Sequence, residues 1–246
     1  MLFSTLQFFI ATLLAVICAR VIGFSEGDIP LIAMVAPVLW FIPQRGFASA
    51  VFLVSVLAYG LTLPHQPITL SVSVWILFPL MMVAFSRRSH FWVVFVAALI
   101  VITLQVGIMV TQNAGKLEGD AALTAIQTVA VVMIWWSMSH WKPIKQHRWW
   151  ALLLLLPLWI TQMAYAVLFA LAVIGIVGAL ENLSKLKDFR WGKLLCWTLP
   201  TVAFAALVIS PHVEVPNPVF VVWLCLLGTA WITDYILQSV EYNEEI

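Results

Sequence analysis

Long apolar runs separated by brief polar corners set the pattern of this chain. Stretches such as FWVVFVAALIVITLQVGIMV, residues 91 to 110, and ALLLLLPLWI, residues 151 to 160, show no alternation of apolar and polar positions. Barrel strands would alternate with a period of two. A membrane-crossing helix instead needs about 17 to 25 mostly apolar residues, because it satisfies every backbone N–H and C=O inside its own segment. Measured against that length, the sequence predicts segments at 2–24, 29–43, 47–63, 68–86, 90–112, 121–139, 194–210 and 217–238. The corners between them, SEGD, PQRG, PHQP, RRSH, NAGKLEGD and SPHVEVPNP, are rich in Pro, Gly and charge, the residues that end helices and favour turns.

The apolar run from Trp149 to Leu180 fits this scheme least well. Lys and Arg favour the cytoplasmic side of short loops. With the amino terminus cytoplasmic, the inner loops carry Arg45, then Arg87 and Arg88, then Lys142, Lys145 and Arg148. A single crossing over 149–180 would put Lys185, Lys187, Arg190 and Lys193 outside, against that bias. A hairpin turning near Thr161 and Gln162 keeps them inside. Its first arm, however, would reach only about 20 Å as an α-helix, short of a hydrocarbon core of about 30 Å. Charge favours two crossings and length favours one tilted helix, so nine and ten crossings both stand. The expectation leans to an arrangement that keeps 181–193 cytoplasmic, as a hairpin, a re-entrant pair or a helix broken at Pro157. With ten, the first five segments start inside and the last five outside, the parity that an inverted repeat requires.

Composition agrees with this reading. Apolar residues make up 63% of the chain and charged residues 9%, against about half and about a quarter in soluble domains. The expected fold is an all-α integral membrane protein, a polytopic bundle of nine or ten transmembrane helices with short loops. Residues 1–246 form a single transmembrane domain with no soluble domain. The first segment lacks the basic start and small-residue cleavage site of a signal peptide and reads as a span. A net charge of +1 gives no electrostatic case for nucleic acid. Cys18, Cys196 and Cys225 lie far apart inside apolar runs, as buried thiols do. The Asn-x-Ser triplet at Asn182 falls in a loop expected to be cytoplasmic, where glycosylation does not occur.

Ionisable residues inside a bilayer are costly and mark function by default. Arg20 lies near one end of the first segment, within reach of Glu26 and Asp28 by snorkelling. Asp234 lies towards the cytoplasmic end of the last segment and fits a charge capping the span at the interface. No acidic residue falls at the middle of a segment, which argues against an Asp/Glu proton or sodium relay. His-Glu-x-x-His, Gly-x-Ser-x-Gly and phosphate-cradling Gly loops are missing from the sequence, so no enzymatic signature is available. His65, His90, His140, His147 and His212 all fall in or beside loops, the wrong places for a haem bridged across helices. The expected cofactor and metal content is none.

What remains at membrane depth is uncharged. Gln105, Gln127, Gln162 and Tyr165, with Asp234, are the candidate substrate-binding residues; Gln162 and Tyr165 would share a face if the chain is helical there. Such groups commonly bond helix to helix. The alternative is a cavity for a weakly charged solute beside Pro-interrupted segments. In WWSMSHWKPIKQHRWW, residues 135–150, five tryptophans bracket Lys142, Lys145 and Arg148. That pattern is two interfacial belts around a cytoplasmic loop, and the three cations are the candidate lipid-headgroup site.

The sequence therefore predicts a small-molecule permease, or the membrane subunit of a transport system, in a bacterial inner membrane with a cytoplasmic amino terminus. Its partners are the lipid bilayer and, in the alternative reading of a non-catalytic assembly or scaffold component, other membrane proteins.

Overall fold

The structure, a computed structural model, describes residues 2–42, 46–86, 89–140, 147–184 and 191–244. It is 83% helical, with no strand among the described residues. Six helices are long and apolar enough to cross a membrane: α1 (Leu2–Phe24), α3 (Phe47–His65, its last three residues a 3-10 turn), α5 (Phe91–Asn113), α6 (Ala121–Ser139), α8 (Ala164–Ser184) and α10 (Asn217–Glu244). Four shorter apolar segments lie between them: α2 (Leu31–Phe41), α4 (Ile68–Ala84), α7 (Trp149–Ile160) and α9 (Trp191–Val208, of which Leu195–Val208 is the apolar part). The order along the chain is long, short, long, short, long, and then the same again. The protein is thus a polytopic helical bundle.

Proline placement follows the same division. Pro37, Pro79, Pro157 and Pro200 fall within the four short segments, and no long helix holds a proline between its first and last turns. A proline lacks the amide donor and crowds the carbonyl four residues back. Two of the short segments accordingly include 3-10 stretches, Val74–Ile76 in α4 and Trp149–Leu155 in α7.

Short and long helices also differ in their surroundings. Leu70, Ser71, Val74, Ile76, Leu77, Leu80 and Val83 of α4 are all buried. On α5, by contrast, Phe95, Leu99, Ile102, Val106 and Val110 form an exposed stripe at three- and four-residue spacing, which is one face of a helix turned towards lipid. A lipid-facing helix has to match the hydrocarbon thickness. A helix enclosed by protein can be shorter and broken, because its neighbours re-satisfy the freed backbone groups.

The bundle has two ends. At the apical end, where α1 finishes, Arg20 Nη1 donates to Ser210 Oγ at 2.9 Å, and Gln66, in the corner after α3, bonds Asp120 and Thr124 at the start of α6. At the basal end, Trp40 stacks on His147 at 4.0 Å, Phe47 meets Trp136 edge-on, and Phe85 meets Trp135. Every segment runs from one end to the other, and successive segments alternate in direction.

The 149–180 run resolves as a hairpin. The turn after α7 is a Schellman motif: Met163 N–H bonds Leu158 O at 2.9 Å, Gln162 N–H bonds Trp159 O at 3.1 Å, and Gln162 sits in the left-handed region at φ 59°. The two ends of the run meet at the basal end, where His147 Nε2 lies 3.1 Å from Glu181 Oε2. The apparent shortness of the first arm has two causes, an extended entry and a 3-10 stretch. A 3-10 stretch rises about 2.0 Å per residue rather than 1.5 Å. With the two non-helical residues His147 and Arg148 ahead of it, this arm reaches about 28 Å, close to the roughly 27 Å from Ala164 to Glu181 along α8.

Several pairings between the halves α1–α5 and α6–α10 match those expected of inverted counterparts. The two most extensive pairings, α1 with α8 and α3 with α6, are the same pairing under a two-fold axis that exchanges the halves. The pairs α2 with α7, α4 with α9 and α5 with α10 each join an element to its own counterpart. The relation is partial: α4 packs well on α10, α2 on α8 and α5 on α6, whereas their counterparts, α9 with α5, α7 with α3 and α10 with α1, make at most slight contact.

Candidate functional site

Where the halves meet, on the basal side of the midplane, the bundle leaves a partly open apolar cavity of about 270 Å³. Met34, Pro37 and Phe41 of α2 face it, opposite Val173, Val177 and Leu180 of α8. Phe52 and Tyr59 of α3, Trp75 of α4, Met138 of α6, and Cys196 with Pro200 of α9 complete its walls. Two of the four interior prolines therefore lie on this surface. A proline deletes one rung of the helical ladder and weakens the turn around it, so the wall is built partly from helices that are easily bent.

The few polar atoms in the lining are tied to one another. Tyr59, fully enclosed, donates from its hydroxyl to Ser71 O at 2.7 Å and accepts from Trp75 Nε1 at 2.9 Å, while the two rings meet edge to face at 5.5 Å. The cavity thus presents hydrocarbon, aromatic faces and the sulfurs of Met34, Met138 and Cys196. A Tyr59→Phe replacement leaves the Trp75 N–H without its acceptor in that wall. We expect it to lower stability by about 1–2 kcal/mol; thermal unfolding in detergent measures it, and an unchanged midpoint would show that the bond contributes nothing.

The polar candidates are placed elsewhere. Gln127 is wholly buried on α6; its Nε2 donates to Ser71 Oγ at 2.9 Å, and its Oε1 has no hydrogen-bond partner. Gln105 is buried on α5 and accepts weakly from Thr128 at 3.5 Å. It borders a void of about 10 Å³ beside Ser73, Thr124 and Trp223, room for about one water. Gln162 is exposed in the turn before α8. Because that turn is left-handed rather than helical, Gln162 does not share a helical face with Tyr165, which is half-buried against the core. Asp234 is half-buried on α10. These five residues do not gather around one space.

Of the three cations proposed for a headgroup, Lys142 and Lys145 lie outside the described residues, while Arg148 is exposed at the basal end. The Arg148 backbone N–H bonds Trp40 O at 3.1 Å, which fixes the entry into α7 against the end of α2. Trp135, Trp136, Trp149 and Trp150 stand at the same end. Among the described residues, no group of three or more His, Cys, Asp or Glu could hold a metal ion.

A second polar cluster was not anticipated from the sequence. At the apical end, Gln66 donates to Thr124 Oγ1 and accepts from Asp120 N–H at 3.0 Å. Thr124 in turn donates to Gln112 Oε1 at 2.9 Å, and Gln112 Nε2 reaches Glu118 O at 3.3 Å. All of Gln66, Gln112 and Thr124 are buried. With each amide engaged to the corner backbone, the cluster seals the corners after α3 and α5 to each other rather than offering a free ligand. The one signal for the cavity available in the sequence was the confinement of interior prolines to the short segments.

Comparison with known proteins adds no relative: no family model, no characterised protein and no solved structure matches this chain.

Proposed function

We propose that this protein is a small-molecule carrier of a plasma membrane, bacterial inner membrane in type, acting alone or as the membrane subunit of a transport system. The observation that supports the reading is the partly matched pairing of two five-helix halves beside a cavity of about 270 Å³ on the basal side of their junction. Inverted repeats supply alternating access, because each half can take the conformation of the other and so move the opening across the membrane. The apical region equivalent to the cavity is packed here by Ala19, Ile22, Leu63, Ala166 and Leu207, all buried. In this proposal the present arrangement is one of two that exchange, the one with its space on the basal side.

The basal end is cytoplasmic in this proposal. By sequence, all Lys and Arg except Arg20 and Lys116 fall in the basal connections or the helical turn next to them, the asymmetry that orients membrane proteins. The amino terminus is then cytoplasmic as well. We propose an apolar solute in place of the weakly charged one expected from the sequence, because the polar side-chain atoms of Tyr59 and Trp75 in the cavity wall are engaged to each other and to Ser71.

Single cysteines at Met138→Cys and Ala19→Cys, in a background with Cys18, Cys196 and Cys225 replaced by Ser, test the exchange. A membrane-impermeant thiol reagent is expected to reach position 138 from the basal side and, more slowly, position 19 from the apical side. Position 19 remaining unlabelled after prolonged exposure, while 138 reacts, would overturn the carrier reading. That outcome, joined with a stoichiometric partner retained in mild detergent, supports the second reading of a membrane scaffold. One feature favours it: a surface groove between α3 and α6 lined by Ala50, Ala58, Ala125 and Ala130, small residues that admit a neighbouring helix closely.

A further inference from the structure

We propose that Arg20 and Ser210, at the apical end of the bundle, bind the phosphate of a phospholipid headgroup in the apical leaflet. The site lies at the end opposite the cavity and stands whether or not the carrier reading holds.

The charge of the ligand follows from Arg20. This residue is half-buried, and its guanidinium turns across to the corner after α9, where Nη1 donates to Ser210 Oγ at 2.9 Å. A guanidinium that only sought water would extend past Phe24 instead. Among the described residues no carboxylate pairs with it: Glu26 and Asp28, in the corner after α1, and Glu214, in the corner after α9, are exposed. A cation at the edge of hydrocarbon is costly without a counter-ion, and among the described residues only this one bond engages the five guanidinium N–H groups. Ser210, accepting from Arg20, keeps its own hydroxyl hydrogen to donate. His212, whose ring lies 6.5 Å from that of Phe24, lines the same crevice as Arg20, Ser210 and Leu207. The crevice, of about 10 Å³, admits one oxygen-sized atom. A phosphate therefore seats one oxygen there and presents others to the planar guanidinium, whose fork matches them.

Level and surroundings make that phosphate a lipid's. Arg20 lies one turn before Phe24, the last residue of α1, and Ser210 lies just past Val208, the last residue of α9. The pair thus marks the boundary of the apolar spans, where headgroups begin. Phe24, Val208 and Ile209 beside it are exposed, an apolar surface for the acyl chains. Free phosphate makes no such contact, and the exposed carboxylates of Glu26, Asp28 and Glu214 in the adjoining corners repel it. A zwitterionic headgroup brings its own ammonium to them.

The test uses the whole protein, delipidated in an uncharged detergent. An arginine-specific dicarbonyl reagent is added, and modification of Arg20 is followed by peptide mass spectrometry. Phosphatidylethanolamine is expected to slow that modification about tenfold, in a saturable manner. Diacylglycerol with the same chains, and inorganic phosphate, are expected to leave it unchanged at the same concentration. Ser210→Ala, which removes the second donor and leaves the reporter in place, is expected to weaken the protection about fivefold. No slowing by phosphatidylethanolamine overturns the site, and so does equal slowing at the exposed Arg148, which would show a general coating by lipid. Equal slowing by diacylglycerol overturns recognition of the phosphate, and equal slowing by inorganic phosphate overturns the lipid as its source. Full protection in Ser210→Ala overturns the part assigned to the hydroxyl. None of these results bears on exchange between the two ends, which the cysteine pair at 138 and 19 reads separately.

Discussion

Gly119→Ala lowers stability by about 3 kcal/mol, whereas Gly115→Ala, four residues away, costs about 1 kcal/mol. Both glycines are left-handed, at φ 95° and 67°, so both replacements pay for placing a Cβ in a region that L side chains avoid. They differ in surroundings. A Cβ at Gly115 meets nothing within 4 Å. One at Gly119 falls 2.7 Å from Gln66 Oε1, 2.8 Å from Pro67 Cδ and 2.9 Å from Gln112 Nε2. The amides of Gln66 and Gln112 cannot both retreat and keep their bonds to Asp120 and Thr124, so at least one buried polar group is left without a partner. Thermal unfolding of both variants in one detergent reads the difference. Equal midpoints would show that the apical network contributes no stability. Loss of the network also frees the corner after α3, so Gly119→Ala is expected to raise labelling of the apical site at position 19.

The second large effect concerns topology. His147→Cys with Glu181→Cys cross-links essentially completely with a short bifunctional maleimide, because the native side chains touch at 3.1 Å. A single crossing over this run would separate the two positions by the hydrocarbon core, about 30 Å, and no short reagent would join them. In oriented vesicles both cysteines are expected to react with an impermeant reagent from the same side. Reaction from opposite sides would overturn the hairpin and, with it, the inverted pairing of the halves.

The segment boundaries were legible because lipid imposes them. A stretch that ends at Phe24 or begins at Phe91 does so where continuous apolarity gives way to groups that require water, and this is local information. The run at 149–180 shows the limit. Its charge pattern points to two crossings while its length in residues argues otherwise, because nothing in HRWWALLLL announces an extended entry followed by a 3-10 rise. The site was less legible still. Gln127 and Gln105 stand out in the sequence as polar residues at depth, yet polarity at depth serves helix packing as readily as binding. The cavity is made of Phe41, Val177, Cys196 and similar residues that differ in type from no other apolar position in the chain.

The sequence by itself determined the solvent, the helical class, the places where the chain turns and the bias of basic residues to one end. These follow from the cost of unsatisfied backbone and of charge in hydrocarbon, which each segment meets alone. Only the tertiary structure decided which helices are enclosed, that α1 lies on α8 as α3 lies on α6, that Tyr59 is matched to Trp75, and where space is left between the halves. Those are properties of pairs of segments distant in the chain, set by the fit of one surface against another, and a pattern along one strand of sequence does not contain that fit.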